Sequence, residues 1–415
     1  MLKIKKHTFL FILLSLFIPI DYLYSQENDF LDEIINSCNI DSLTATVKIL
    51  SGETEFVLNN QIANIKSRHS SLEGNEIAAQ FIKNKLNQLK LSVSEQTFSS
   101  GIKNIIAEQT GIDNSKCVII SAHYDCCGDR RCSEDSSLIA PGADDDGSGV
   151  AAVLECARIL SRYQTQYKIV YAFWDSEEQG LIGSRLYSNQ AYANNKDIIG
   201  VINIDMIGWD SNDDGLIEIH EKDTSATNFI DLPGTIISIN QEYNIGLNPL
   251  EFRPGTRRSD HNSFWQNGFN AILLIEGLYS EDFNEYYHSQ NDKLGNFNLD
   301  YYARACKLAI GSLAQIAIIK NYLGEIPDDY IIYQNYPNPF NAQTKIKYSI
   351  TNDGFVSINV FNILGQSVEK VVSEFQRAGS YNITYNTAPN LSSGIYIYSL
   401  TINGKSKSNK MIYIK

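Results

Sequence analysis

The sequence lacks a basic surplus, an apolar run of membrane-spanning length and an even number of cysteines, and each lack removes a class of function. Lys and Arg total 34 against 48 Asp and Glu, a formal charge of −14. Phosphate backbones are held through clustered cations, so nucleic acid is not an expected partner, and the acidity chiefly serves solubility. Charged residues make up only 20% and hydrophobic ones 43% of 415 residues, which excludes a disordered chain and leaves room for two domains. The longest N-terminal apolar stretch, residues 9–20, follows Lys3, Lys5 and Lys6 and is stopped by Asp21. About 12 residues fall short of the ~20 that span a bilayer, so residues 1–25 read as a cleaved secretory signal peptide, leaving no transmembrane segment in the mature chain. Loss of three Lys and one Asp with it takes the formal charge to −16.

Seven cysteines all precede residue 307, so in an oxidising compartment at least one thiol stays free. The cluster Cys126, Cys127 and Cys132 could close a small disulfide loop or remain as thiols. A structural zinc on these three sulfurs is not expected, because a fourth ligand at suitable spacing is missing.

Residues 71–90 carry apolar side chains at helical spacing. Beyond them, short apolar runs at 117–122, 168–173, 198–204 and 271–275 read as buried strands. Helical patterns at 149–163, 181–192, 224–243 and 299–322 alternate with the runs. The expectation is an α/β domain over residues 61–322, a mixed central sheet with helices on both faces. Whether residues 26–60 belong to it or form a propeptide stays open. A linker covers 323–334. Residues 335–415 show six or seven short alternating strands with turn signals between them, a small all-β, Ig-like sandwich.

Acidic and histidine residues cluster at the ends of the expected strands, where open α/β sheets place their sites. His123 and Asp125 follow 117–122, Glu177 and Glu178 follow 168–173, and Asp205 follows 198–204. Asp144, Asp145 and Asp146 lie in a glycine-flanked turn, and His288 comes from a distant loop. Zinc takes imidazole and carboxylate donors, and two ions can share one carboxylate. The inventory suffices for a two-metal hydrolytic site with one carboxylate left over to move a proton. Asp125 would orient the His123 ring from behind.

The motifs SAHYD, PGADDDGSG, SEEQGLIGS, INIDM, RRSDHNSF and YYHS occur in an order that resembles the secreted bacterial dizinc aminopeptidases of metallopeptidase family 28. The resemblance covers residues 62–322 and implies the zinc exopeptidase fold and peptide substrates. It also implies two zinc ions, one on His123, Asp145 and Asp205, the other on Asp145, Glu178 and His288, with Asp145 bridging. Glu177 would take a proton from the bridging water and return it to the leaving amine. Tyr287 would steady the oxyanion, Asp260 would orient from behind the ligands, and His261 would be structural. Two alternatives on the same fold are a single-zinc glutaminyl cyclase, with Asp205 and Asp260 as proton relays, and a carboxypeptidase.

Asp210, Asn212, Asp214 and Gly215, with Glu221 at the twelfth position or Glu218 as its rival, fit the calcium-loop spacing, so a calcium ion is a further expectation. The tail, through NYPNPFNA, VFNILGQSV, AGSYNITYN, SGIYIYSL and the closing KMIYIK, resembles the C-terminal sorting domain of type IX secretion, with Ala342 where a proline is usual. That implies a Bacteroidota-type protein, secreted or attached to the cell surface, with the type IX secretion machinery as partner.

Overall fold

A computed structural model describes residues 30–415 apart from 99–100, 136–138, 223–229, 318–320, 323–329, 351–353, 364, 378, 388–390 and 403–404. The expected signal peptide, part of the linker and parts of the tail's turn signals lie outside the described residues. The chain divides into two compact units, Met1–Tyr322 and Leu323–Lys415. Among the described residues no helix is long and apolar enough to cross a membrane.

The first unit is built on eight strands: β1 (Ser92–Thr97), β2 (Lys103–Gln109), β3 (Asp113–His123), β4 (Tyr167–Trp174), β5 (Asp197–Ile204), β6 (Leu216–Glu221), β7 (Asn248–Phe252) and β8 (Ala271–Ile275). They form one sheet in the order β7-β6-β8-β5-β3-β4-β2-β1. β4, β3, β5 and β8 run parallel. β6 pairs antiparallel to β8, as β2 does to β4 and β1 to β2, so the sheet is mixed. Helices accompany it, among them α1 (Ile40–Leu50), α2 (Glu73–Gln88), α3 (Gly147–Leu160), α4 (Ile182–Ala193), α5 (Leu232–Glu242), α6 (His261–Gln266) and α7 (Leu299–Ala317).

Side chains alternate across a strand, and that alternation divides the core in two. Val118, Ile120 and Ala122 of β3 join the cluster containing residues of α1, α2, α3, α5 and α7, whereas Ile119 joins Tyr187 of α4 and Phe264 and Trp265 of α6. Helices therefore cover both faces, as the alternating pattern predicts. α3 is buried on nearly every side, which explains why its sequence, Val150 to Leu160, is apolar almost throughout.

Residues 30–58 are not set apart from this unit. Leu31, Ile34, Ile35, Leu43, Val47 and Leu50 belong to the main core. The Asn39 backbone N–H donates to Glu155 Oε1 at 2.8 Å, and the Arg158 guanidinium donates to the Ser37 carbonyl at 2.8 Å. Ile34, fully buried, gives a test: Ile34→Ala should lower stability in urea unfolding by about 2–5 kcal/mol. A change within about 0.5 kcal/mol would place the segment outside the cooperative unit.

Two helix ends differ from the sequence pattern. The last helix is described as far as Ala317, and Asn321–Tyr322, expected to continue it, pairs antiparallel with Tyr163–Gln164; residues 318–320 lie outside the described residues. α5 begins only at Leu232, where the Asp231 carboxylate accepts the Gly234 N–H and Pro233 occupies the first turn; residues 223–229 of the expected helix lie outside the described residues.

The second unit is a sandwich of two antiparallel sheets. One joins β9 (Tyr330–Ile332), β10 (Gln343–Ile350) and β13 (Gly379–Asn386); the other joins β11 (Gly354–Asn362), β12 (Ser367–Gln376), β14 (Gly394–Ile402) and β15 (Lys405–Tyr413). The NYPNPFNA segment serves this fold directly. Buried Asn335 donates to the Pro337 carbonyl and to Thr344 Oγ1, and its own N–H reaches the Tyr398 hydroxyl. Phe340 exchanges backbone bonds with Ile412 and Ile414, pinning the final strand. Ala342 sits at φ +62°, a backbone closed to proline, which accounts locally for the departure from the usual residue.

Candidate metal centre

Three adjacent strands, β5, β3 and β4, end side by side, and each delivers expected site residues just beyond its last hydrogen bond. His123 closes β3, Asp205 follows β5, and Glu177 and Glu178 follow β4 after a left-handed Ser176. Ser176, Met206 and His288 have φ of +58°, +58° and +52°. Such backbone costs about 1–3 kcal/mol at each non-glycine residue and persists where the surroundings enforce it.

The three consecutive aspartates have three separate tasks. Asp146 caps α3 through Gly149 N–H and also accepts the His123 N–H at 3.1 Å, tying the end of β3 to the helix. Asp144 turns away and accepts from Gly208 N–H at 2.8 Å and the Asn284 amide at 2.7 Å. Asp145 faces the imidazoles. Its Oδ1 lies 3.2 Å from His123 Nε2, which is also 3.6 Å from Asp205 Oδ1. Its Oδ2 lies 3.0 Å from His288 Nε2, which is 2.9 Å from Glu178 Oε2.

These contacts do not satisfy the groups as hydrogen bonds. Asp145 Oδ2, Glu178 Oε1 and His288 Nε2 are buried without a hydrogen-bond partner, a costly condition that a cation would relieve. The charge balance points the same way. Asp145, Glu177, Glu178 and Asp205 line a cavity of about 480 Å³ with only His123, His288 and the exposed Arg258 opposing them. Burial pushes Glu177 well above the usual carboxylate range, helped by Asp260, Glu178 and Asp205. Burial and Asp145 push Glu178 up to about 7. Burial opposes a charged His288, yet the Asp145 and Glu178 carboxylates outweigh it and raise the ring to about 10. Imidazole and carboxylate donors in two groups of three are a donor set suited to zinc.

The other expected residues divide. The carboxylate of Asp125 lies 3.4 Å from His123 Nδ1, but its carbonyl is closer at 3.2 Å. Its two oxygens accept the Glu177 and Glu178 N–H groups at 3.0 and 3.2 Å, so Asp125 sets both glutamates as well as the histidine. Tyr287 lines the cavity and stacks on His288 at 3.8 Å between ring centroids. Asp260 is fully buried but makes no hydrogen bond to any expected ligand, so the orienting role expected of it is not seen. His261 donates its Nε2–H to the Thr256 carbonyl and packs edge-on against Trp265, and burial pushes it down to about 3; it is a neutral structural residue.

The loop expected to hold calcium is hydrogen-bonded within itself. Asp210 accepts the Asp214 and Gly215 N–H groups and Asp214 accepts Leu216 N–H and the Asn212 amide, closing the turn on itself. Both candidate closing carboxylates are engaged elsewhere, Glu218 with His220 Nε2 at 2.8 Å and Tyr279 N–H, Glu221 with Arg253.

Two residues that sequence reasoning passed over hold the ligand loop. Arg68, fully buried, donates to the carbonyls of Leu50, Tyr124, Pro141 and Gly142 at 2.7–2.8 Å. Gly142, at φ +50°, has no space for a side chain, since a Cβ there would lie 2.5 Å from the Asp145 carbonyl. Asp292 accepts the Asp144 and Asp145 N–H groups at 2.9 and 3.1 Å, joining the loop of His288 to that of Asp145. Its only sequence signal was its position four residues after His288. Asp292→Ala leaves two buried N–H groups unpaired, and zinc affinity measured by chelator competition should fall by about 10–100-fold. Asp292→Asn, which keeps one acceptor, should fall between; wild-type affinity in both would deny Asp292 this role.

The chain is similar to leucine aminopeptidase 1 of Ajellomyces capsulatus, 30% identical over 224 residues, covering 52% of this chain and 56% of that protein. It thus spans about half the length of the curated relatives it matches. Among solved structures, the LapA aminopeptidase of Legionella pneumophila shares the fold at a TM-score of 0.57 and 21% identity, covering 70% of this chain and 75% of that one. The glutaminyl cyclase of Bacteroides thetaiotaomicron does so at 0.54 and 17%, covering 66% and 97%. Residues 334–415 match the Secretion system C-terminal sorting domain, which assigns the sandwich, and residues 104–313, half of the chain and all of the strand ends that meet at Asp145, match Peptidase family M28. The chain belongs to peptidase family M28.

Proposed function

We propose that this protein is a secreted, zinc-dependent aminopeptidase that removes N-terminal residues from peptides. The observation that carries the reading is the division of Asp145, one oxygen toward His123 and Asp205 and the other toward His288 and Glu178. Those two groups would hold two zinc ions with Asp145 between them. What bound zinc supplies to such a site is an acidified water and a polarised carbonyl.

Glu177 is the proton carrier of this proposal. Its backbone is fixed by Asp125, its side chain is buried in the cavity wall, and it takes part in neither imidazole contact. It takes the proton of the attacking water and returns it to the leaving amine. Tyr287, stacked on His288, steadies the developing oxyanion. The carboxylate surplus of the cavity receives the positively charged free N-terminus of the substrate, and the apolar wall of Met206, Ile275, Leu278 and Phe283 receives its side chain. Export and release at the cell surface rest on the sorting domain and on the expected signal peptide.

Zinc content of the mature chain, measured together with product release, tests this. Two zinc ions per chain and release from free-amine peptides, but not from N-acetylated ones, are expected. One zinc with cyclisation of N-terminal Gln peptides would give the cyclase reading instead, and release from the C-terminus would give a carboxypeptidase.

A further inference from the structure

The disulfide between Cys127 and Cys132 lies against the Glu178 and His288 side of the centre. Cys132 Sγ is 3.6 Å from Glu178 Oε2. One donor atom from each of Cys127, Cys132, Glu178 and His288 lies within 4.8 Å of all the others. While the sulfurs are bonded to each other neither is a metal donor, since zinc is held by thiolate. Separated, the same four positions offer two thiolates, an imidazole and a carboxylate. Four donors of this softness are what zinc takes in closed sites, whereas a catalytic site keeps one position open. Cys126 takes no part: it is buried, accepts the Arg68 N–H at 3.2 Å and donates to the Ala140 carbonyl at 3.3 Å. Cys132 is half-buried beside the exposed Arg130 and Arg131, so a reductant can reach it.

We propose that reduction of the Cys127–Cys132 disulfide converts the Glu178–His288 half of the centre into a closed zinc site of two cysteines, one glutamate and one histidine, with Asp145 left to His123 and Asp205. The disulfide thus keeps the open position free for water and substrate. The inference rests on the reading of Glu178 and His288 as zinc ligands. With a water-soluble phosphine as reductant, the S–S bond breaks, phosphorus is oxidised by two electrons and takes the oxygen of one water, and that water's two hydrogens leave Cys127 and Cys132 as thiols. Zinc binding then displaces one proton from each sulfur.

Cobalt(II) in place of zinc, in the mature full-length chain, tests the proposal without an activity assay. The oxidised protein should show visible cobalt bands with no sulfur-to-cobalt charge transfer. After phosphine treatment a near-ultraviolet charge-transfer band should appear, and alkylation of Cys127 and Cys132 by iodoacetamide, followed by peptide mass, should slow by about tenfold or more when zinc is present. A Cys127→Ser, Cys132→Ser double variant should keep the visible bands and lose the charge-transfer band. Should that variant not fold, the alkylation rates of the wild-type protein decide. Failure of the oxidised protein to bind cobalt removes the ligand reading and the inference with it. Cobalt bound when oxidised but no sulfur band on reduction, a band that persists in the double variant, or alkylation indifferent to zinc would overturn the inference alone.

Discussion

Glu177→Gln is expected to lower kcat by about 10²–10⁴-fold while zinc content stays at the wild-type level. The substitution keeps the size and one oxygen of the side chain but removes the proton acceptor. Its position does not depend on its charge, being set through its backbone N–H by Asp125. Glu178→Gln should behave differently. Its carboxylate stands 2.9 Å from His288 Nε2, and its loss should be read as loss of one zinc ion. Metal analysis alongside kcat separates the two adjacent residues. If both variants lose metal equally, the division of labour between them is wrong.

Asp145→Ala should remove both zinc ions and reduce turnover to background, the largest effect of any single side chain here. Both imidazoles approach this one carboxylate, at 3.2 and 3.0 Å on opposite oxygens. Residues behind metal ligands typically cost about 10–100-fold in affinity, so a ligand common to two ions should cost more than that at each. Calorimetric zinc titration reads both sites at once. Retention of one zinc at wild-type affinity would show that Asp145 serves a single ion. Asp144→Ala is the control on the same loop, since Asp144 bonds to Gly208 and Asn284 and contacts neither imidazole.

Much of the fold was legible. The runs at 117–122, 168–173, 198–204 and 271–275 are the four parallel central strands, because a strand buried on both faces reads as an uninterrupted apolar segment. The strands that escaped notice, β1, β2 and β7, lie on the flanks of the sheet, where β1 and β7 are polar and short and β2 carries only a brief apolar run. Pairing with a neighbour, not local pattern, makes them strands. The expected calcium loop shows the same dependence on pairing. A ligand pattern fixes which residues are offered, while the contact of Glu221 with Arg253 forms because β6 pairs with β7 and Arg253 follows it.

By itself the sequence determined the donor inventory and its placement: histidine and carboxylate at the ends of apolar strands, two consecutive glutamates after one of them, and a tail of a different texture. The tertiary structure alone decided which atoms meet. Chain order runs β3, β4, β5, β8, whereas sheet order runs β8, β5, β3, β4, and that rearrangement brings Asp205 and His123 together on one side of Asp145. The supports decided only at this level are Arg68 on four carbonyls, Asp292 on two backbone N–H groups and the disulfide against Glu178. They act mainly through backbone atoms and long-range contacts, and a backbone amide presents the same chemistry at every residue, so no pattern of side chains along the chain announces where it will be needed.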